Sequence, residues 1–344
     1  PPSPPPPPTH TNTLYSSSAA SDVYKRQGAL FVAEKTVELK IGRKKAAQDR
    51  AKMTISRLTA PGVVKSLAVL PLIDFYADRP ELKTESGVSY LISTDHATIL
   101  MDVWFNAKKE HPSPLLRNME TLGVSTSEID MIFISHAHLD HLGGMMDQKQ
   151  KTFSLSRGPV ALSEIPVYAP VQITASHWNP GPQTHVIPDP VVIKPGIVSI
   201  GIIHRFLFLM GRTLENALAI NVEGKGVVLI VGCGHQTIER IIERTLVLFD
   251  APIYGIIGGL HFPVKGGRIM LGPVNMQRLV GSDNPPWRGI RESDIHNAIA
   301  AIKKVAPKIV ALSTHDSSDW SLDQFRQAFG SAYLDIRVGK EIVI

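Results

Sequence analysis

The stretch Ser135–Gly144 (SHAHLDHLGG) constrains this 344-residue chain more than any other. Within six positions it sets His136, His138, Asp140 and His141, directly after the apolar run Ile129–Ile134 (IDMIFI). Such a run reads as a β-strand, which delivers the cluster at a strand end. His136 and His138 lie two apart, and alternate side chains of extended backbone share a face, so both imidazoles can grip one metal ion. Asp140 and His141 follow as the chain turns and can face a second ion beside the first. Imidazole nitrogen with carboxylate oxygen suits zinc, manganese or iron better than calcium or magnesium. A solvated histidine-rich loop is the bland reading, and four ligand-type residues between a strand and Gly143-Gly144 speak against it.

Composition bounds what surrounds this cluster. With 43% hydrophobic residues the chain can bury a sizeable core, and its single cysteine, Cys233, rules out an internal disulfide. No apolar run reaches the roughly 18–20 residues that cross a bilayer. The net charge of +5 is unevenly placed: residues 1–57 carry ten Lys/Arg against four Asp/Glu, and residues 58–344 carry 26 against 27. A nuclease body would be expected to carry a basic track for phosphates, and its absence argues against nucleic acid as substrate. A cytoplasmic protein is expected, or a membrane-anchored one if a native N-terminal segment was lost.

Residues 1–27 read as a disordered or artefactual leader. PPSPPPPP is low-complexity, and Ser17–Gln27 (SSAASDVYKRQ) resembles the translation of a transposon sequencing adapter. Residues 28–57 are expected to form a basic helical segment, read either as a surface helix or as the flank of a lost apolar anchor. From residue 58 onward, short β-rich runs alternate with turns, among them Val64–Leu72, Val88–Ile92, Thr98–Val103, Ile197–Ile203, Gly226–Val231, Ile253–Ile257, Ile309–Leu312 and Ile336–Ile344. Helical patterns cover Pro114–Leu122, Gln236–Phe249, Arg291–Val305 and Ser321–Phe329. Two sets of strands with interspersed helices predict an α/β architecture of two sheets between helical layers. Leu271–Trp287, rich in Gly and Pro, predicts a loop insertion, either a lid or a surface connection.

HxHxDH after a hydrophobic strand resembles the signature of the metallo-β-lactamase-fold superfamily. Gly87–Ile92, Ala97–Asp102, Glu215–His235, Ile256–His261 and Leu312–His315 occur in the order expected of it. GCGH and GGLH look most like the branch of dihydropterin ribofuranosyl-aminobenzene phosphate synthases and related hydrolases. The resemblance implies an αββα sandwich over residues 58–344 and two divalent metal ions, zinc foremost, with manganese or iron as alternatives. It implies that His136, His138 and His235 hold one ion, and Asp140, His141 and His315 the other. Cys233 stands where many relatives carry a bridging aspartate; it reads either as a ligand or as a small core residue. Asp102 is expected to accept a hydrogen bond from a ligand histidine. His204 lies where some relatives place a ligand, and His261 reads as a ligand, a proton donor, a substrate contact or a structural residue. After His315 the branch tends to continue Cys-Thr-Gly, whereas this chain has Asp316-Ser317-Ser318.

No phosphate-binding glycine loop, dinucleotide fingerprint or serine-nucleophile elbow is present. The expected function is that of a metal-dependent hydrolase acting on a small phosphoester-type substrate through a metal-bound hydroxide, with Asp140 and His261 as catalytic residues. The alternatives are a di-iron redox protein on the same fold, whose relatives place a glutamate in the histidine motif, and a non-catalytic metal-binding protein.

Overall fold

Strand Gly226–Val231 (GVVLIV) shows how the pattern of apolar residues sets the layers. Its side chains alternate, Val227, Leu229 and Val231 entering one apolar core and Val228 and Ile230 another. A strand buried on both faces has to be apolar throughout, and this one is. The computed structural model describes the backbone of residues 16–344 and the side chains from position 26 onward. Two seven-stranded sheets face each other. The first runs Ile342–Val343, Leu67–Ile73, Ser89–Thr94, Thr98–Met101, Met131–Phe133, Pro166–Ala169, Gln183–Val186. The second runs Tyr333–Asp335, Ile309–Leu312, Ile253–Gly258, Gly226–Val231, Ala217–Val222, Ile197–Ser199, Val191–Lys194.

Between the sheets lie Val69, Ile92, Ile99 and Phe133 against Ile220, Val228, Ile230 and Ile257. The outer face of the second sheet is covered by helices Ile238–Leu248, Glu292–Val305 and Asp319–Phe329, through residues such as Ile241, Ile295 and Phe325. The outer face of the first is covered by helix Pro114–Thr121, through Leu115 and Met119. This is the αββα sandwich. Strands Thr98–Met101, Met131–Phe133 and Pro166–Ala169 pair in parallel, as do Gly226–Val231, Ile253–Gly258 and Ile309–Leu312. Parallel strands end on one rim, and the chain segments that follow several of them meet there.

Some expected elements are divided differently. Ile197–Ile203 is not one strand: Gly201 takes φ +73°, ending Ile197–Ser199 and opening a separate hairpin, Ile203–Leu207 with Gly211–Glu215. Gly339, at φ +83°, likewise divides Ile336–Ile344, leaving Ile342–Val343 as the edge strand. The expected loop Leu271–Trp287 contains structure, the short strand pair Met270–Leu271 and Val274–Asn275 followed by helix Met276–Val280. The Asn275 side chain accepts the Arg278 N–H to start that helix.

Residues 1–15 of the expected leader lie outside the described residues. Ser16–Lys52 is a single helix, so the expected boundary at Gln27/Gly28 falls inside a continuous element. That helix docks on the hairpin Ile203–Leu207/Gly211–Glu215, burying Leu39 and Ala46, with Gly42 against the Phe206 ring. Segment 28–57 is thus packed from Leu39 onward, while Leu30, Phe31 and Val37 before it are exposed. Among the described residues no helix is long and apolar enough to cross a membrane.

Candidate metal centre

Five turns bring the candidate residues to one rim. Ser135 and His136 follow strand Met131–Phe133; His138 caps the short helix Leu139–Leu142, which carries Asp140 and His141. Cys233 and His235 follow Gly226–Val231, His261 follows Ile253–Gly258, and His315 follows Ile309–Leu312. Asp102 closes Thr98–Met101. Donor atoms of Asp140, His141, Cys233 and His315 all lie within 4.8 Å of one another, as do those of His136, Cys233 and His235. A third set joins Cys233, His261 and Asp316. Cys233 belongs to all of them, at the middle of the cluster. His138 stands beside the second set, its ring centroid 4.4 Å from that of His136 and 5.0 Å from that of His235. Its nitrogens join no set of three within that distance among the described residues. His204 is elsewhere, on the hairpin facing the N-terminal helix, near Asp49 and Arg212.

Buried carboxylates decide which nitrogen each imidazole presents. Asp102 accepts the Ser135 N–H at Oδ1 (2.7 Å), and the Ser135 hydroxyl and His141 Nδ1–H at Oδ2 (2.7 Å each). A carboxylate only accepts, so His141 carries its proton on Nδ1 and turns Nε2 to Cys233 Sγ, 3.0 Å away. The Ser135 hydroxyl, having given its hydrogen to Asp102, accepts from His136 Nδ1 at 3.0 Å, which leaves His136 Nε2 with a lone pair. On the opposite side Asp74 repeats the device. It accepts from Ser313 Oγ (2.6 Å) and from the Thr314 N–H, and Ser313 in turn accepts from His315 Nδ1 at 2.5 Å. His315 Nε2 is then aimed at Cys233 Sγ, 3.2 Å away. Orientation of this kind fixes ring and tautomer before any ion binds.

The GCGH turn has its own holder. Buried Glu215 accepts the backbone N–H groups of Cys233 (3.1 Å), Gly234 (2.8 Å) and His235 (2.7 Å). Burial pushes its carboxyl up to about 7 against those three donors. Asp316 accepts the His261 N–H at 2.9 Å. Sequence reasoning singled out Asp102 but passed over Asp74, Glu215 and Asp316 as site residues. Asp74 and Glu215 lie far from the turns they hold, so no local spacing marks them.

The electrostatics favour neutral imidazoles. Burial, reinforced by the neighbouring rings, holds His136 and His235 well below the usual histidine range. Burial lowers His138 to about 4, Asp140 opposing it, and lowers His315 to about 3 with the help of His141. His141 differs: burial disfavours its charge, but Asp102 and Asp140 outweigh that and raise it to about 9. Burial and the surrounding carboxylates, Asp140 first, push the Cys233 thiol well up. Without an ion, then, a proton on His141 neutralises part of the acidic surroundings.

The cluster passes a test of fit for a divalent cation. His136 Nε2, His235 Nδ1 and His261 Nδ1 are buried nitrogens without a hydrogen-bond partner. Orphaned buried polar atoms are costly and rare, and lone pairs converging with a carboxylate and a thiol are what a borderline metal takes.

A cleft of about 130 Å³ reaches the cluster at His235 and His261, with Arg205 and Asp283 on its wall. The 271–287 insertion covers its rim. Gln277, buried, accepts at its carbonyl from His261 Nε2 (3.0 Å) and donates from its side chain to the His315 carbonyl (2.8 Å). Gly281 lies so close to His261 that a Cβ there would sit 1.7 Å from Nε2. Of the two readings of this insertion, the structure supports the cover.

The metallo-beta-lactamase superfamily model matches residues 82–266, more than half of the chain, and the chain belongs to that superfamily, whose members bind divalent metals. It is similar to the 7,8-dihydropterin-6-methyl-4-(beta-D-ribofuranosyl)-aminobenzene-5'-phosphate synthase of Methanocaldococcus jannaschii, 24% identical over 314 residues, covering 82% of this chain and 98% of that one. A shorter likeness, 26% over 153 residues, links 40% of the chain to 23% of the transcription termination factor FttA of Cenarchaeum symbiosum. Among solved structures, Tm1679, a metal-dependent hydrolase of the beta-lactamase superfamily, shares the fold with a TM-score of 0.54 at 18% identity, covering 81% of this chain and 99% of that one.

Proposed function

We propose that the protein is a metal-dependent hydrolase of small phosphoester-type substrates. The observation that carries the reading is the convergence of His136, His141, His235, His315 and Asp140 on Cys233, with tautomers fixed by Asp102 and Asp74 and with lone pairs left unused. His136, His138 and His235 would hold one ion, and Asp140, His141 and His315 a second, with Cys233 a neighbour of both sets. Zinc fits this donor set best, and manganese or iron would also be accepted. When bound, such ions lower the pKa of water and neutralise charge that develops in the transition state.

The chain's own residues supply orientation and proton handling. Asp140 orients the attacking water by accepting its hydrogen bond. Its carboxyl is held low by His141 and His315 in spite of burial, so it stays an acceptor. His261 donates from Nε2 to the Gln277 carbonyl, which leaves Nδ1 as an acceptor. It serves by taking a proton from the water or a substrate hydroxyl and passing it to the leaving oxygen, so it donates only after accepting. The insertion around Gln277 limits access of bulk water. The phosphoester class rests on likeness to the archaeal synthase, whose name carries a 5'-phosphate.

The test pairs metal analysis with a screen of the full chain against phosphomonoesters, phosphodiesters, lactones and thioesters. Two ions per chain and phosphoester turnover are expected, both lost together in His136→Ala. Turnover confined to lactones or thioesters would overturn the substrate class, and full metal content in His136→Ala would overturn the site.

A further inference from the structure

Beside the metal-type cleft lies a second, larger groove, of about 330 Å³, between the end of the N-terminal helix, strand Ile203–Leu207 and helix Ile238–Leu248. Its polar wall is made of Arg50, Arg240 and Arg244, all partly buried. Each guanidinium is tied by backbone carbonyls: Arg50 to His204, Arg240 to Gln236 (3.3 Å), Arg244 to Ile200 (2.9 Å). Among the described residues none of the three forms an ion pair. The nearby Asp283 is taken by Arg205 (2.7 Å), and Asp49 stands by Arg212 and His204. Among the described residues Glu243 is the one carboxylate lining the groove, and it is exposed. Burial and mutual repulsion with Arg205 lower Arg50 and Arg240, and burial lowers Arg244. Asp283 acts on Arg50 and Arg240, and Asp189 and Glu243 act on Arg244, without pairing directly with them. Clustered, partly desolvated cations without a direct ion-pair partner are costly to hold, and carbonyl-tethered forks with free N–H groups match a phosphoryl oxygen array. The apolar part of the lining is Ile55, Ile203 and Val247, the last on the same helix face as Arg240 and Arg244.

We propose that this groove binds a small organic phosphate, its phosphoryl group held by Arg50, Arg240 and Arg244 and its apolar body lying against Ile55, Ile203 and Val247. The site is separate from the metal-type cluster but mechanically joined to it. Arg50 holds the carbonyl of His204, and the next residue, Arg205, donates to the carbonyl of His235 at 2.6 Å. A ligand that draws on Arg50 therefore acts on the strand that braces the GCGH turn.

The experiment is calorimetric titration of the metal-loaded full chain with methylphosphonate and phenylphosphonate, which resist hydrolysis and differ only in the body attached to the headgroup. Phenylphosphonate should bind about tenfold more tightly than methylphosphonate, because its ring has the apolar wall. Arg240→Gln and, independently, Arg50→Gln should each weaken phenylphosphonate about tenfold or more, with melting temperatures checked to confirm folding. Asp140→Asn should leave that binding unchanged, so failure of the hydrolase reading would not disturb this result. Unaltered affinity in both arginine variants, or loss in Asp140→Asn alone, would overturn the proposal and place the phosphonate at the metal-type cluster. Equal affinity for the two phosphonates would overturn the organic-phosphate assignment.

Discussion

Replacing Asp102 by asparagine keeps the shape of the side chain but exchanges one of its two acceptor oxygens for an NH₂ donor. In the native arrangement both oxygens accept, Oδ1 from the Ser135 N–H and Oδ2 from the Ser135 hydroxyl and His141 Nδ1. In Asp102→Asn, an amide with its carbonyl on the Ser135 N–H must present its NH₂ group to the other two. His141 can accept from it only without a proton on Nδ1, which leaves the ring's proton on Nε2, the nitrogen that faces Cys233 and Asp140. Ser135, now accepting, turns its hydroxyl hydrogen toward His136 Nδ1 and drives that ring's proton to Nε2 as well. The opposite flip of the amide sets NH₂ against the Ser135 N–H, a buried donor pair costing about 1–3 kcal/mol. Either way protons are fixed on His136 Nε2 and His141 Nε2, the nitrogens a metal ion would need free, or the loop that carries them is strained. Metal affinity should fall by about 10–100-fold, equivalent to about 1.4–2.8 kcal/mol, the usual range for loss of such an orienting group. Competition with a chromophoric chelator measures it directly, and far-UV circular dichroism checks that the sandwich is intact. An Asp102→Asn protein binding metal within twofold of wild type would refute the tautomer reasoning.

Asp140→Asn should retain most of its fold while losing turnover by about 10² or more, roughly 2.7 kcal/mol of transition-state stabilisation, with KM changing far less; near-normal turnover would remove Asp140 from the chemistry. Gly281→Ala would set a Cβ 1.7 Å from His261 Nε2, so the ring or the covering segment must move; turnover should drop about tenfold or more with metal content unchanged, as read by steady-state kinetics beside elemental analysis. Gly42→Ala gains helix propensity worth about 1 kcal/mol but places a Cβ 2.2 Å from the Phe206 ring. Overpacking costs about 1–3 kcal/mol, so a net loss of stability is expected in a denaturant melt, and stabilisation would show that the helix does not dock as described.

What the chain decided locally was legible in advance. The run IDMIFI followed by His136, His138, Asp140 and His141 announced a strand end crowded with ligand-type side chains, because period-two geometry and side-chain chemistry both act over a few residues. GVVLIV announced an apolar strand, and the fold placed its two faces in two different cores. The alternation of short strands and helices was enough for the αββα layers, while single glycines with positive φ, Gly201 and Gly339, moved the boundaries.

Tertiary structure decided the rest, because it joins residues that the sequence keeps apart. Asp74 meets Ser313 and Thr314 across about 240 positions, and Glu215 collects the amides of the GCGH turn from the strand hairpin before it. Cys233, ambiguous as a lone cysteine, became the common neighbour of His136, His235, His141 and His315 only once both sheets met. Gln277, in an insertion whose pattern fitted lid and surface loop equally, proved to bridge His261 and His315. The side-chain chemistry of the site is written in short motifs; the choice of which nitrogen each ring presents is a long-range property, set by buried carboxylates whose partners only the fold brings within hydrogen-bond reach.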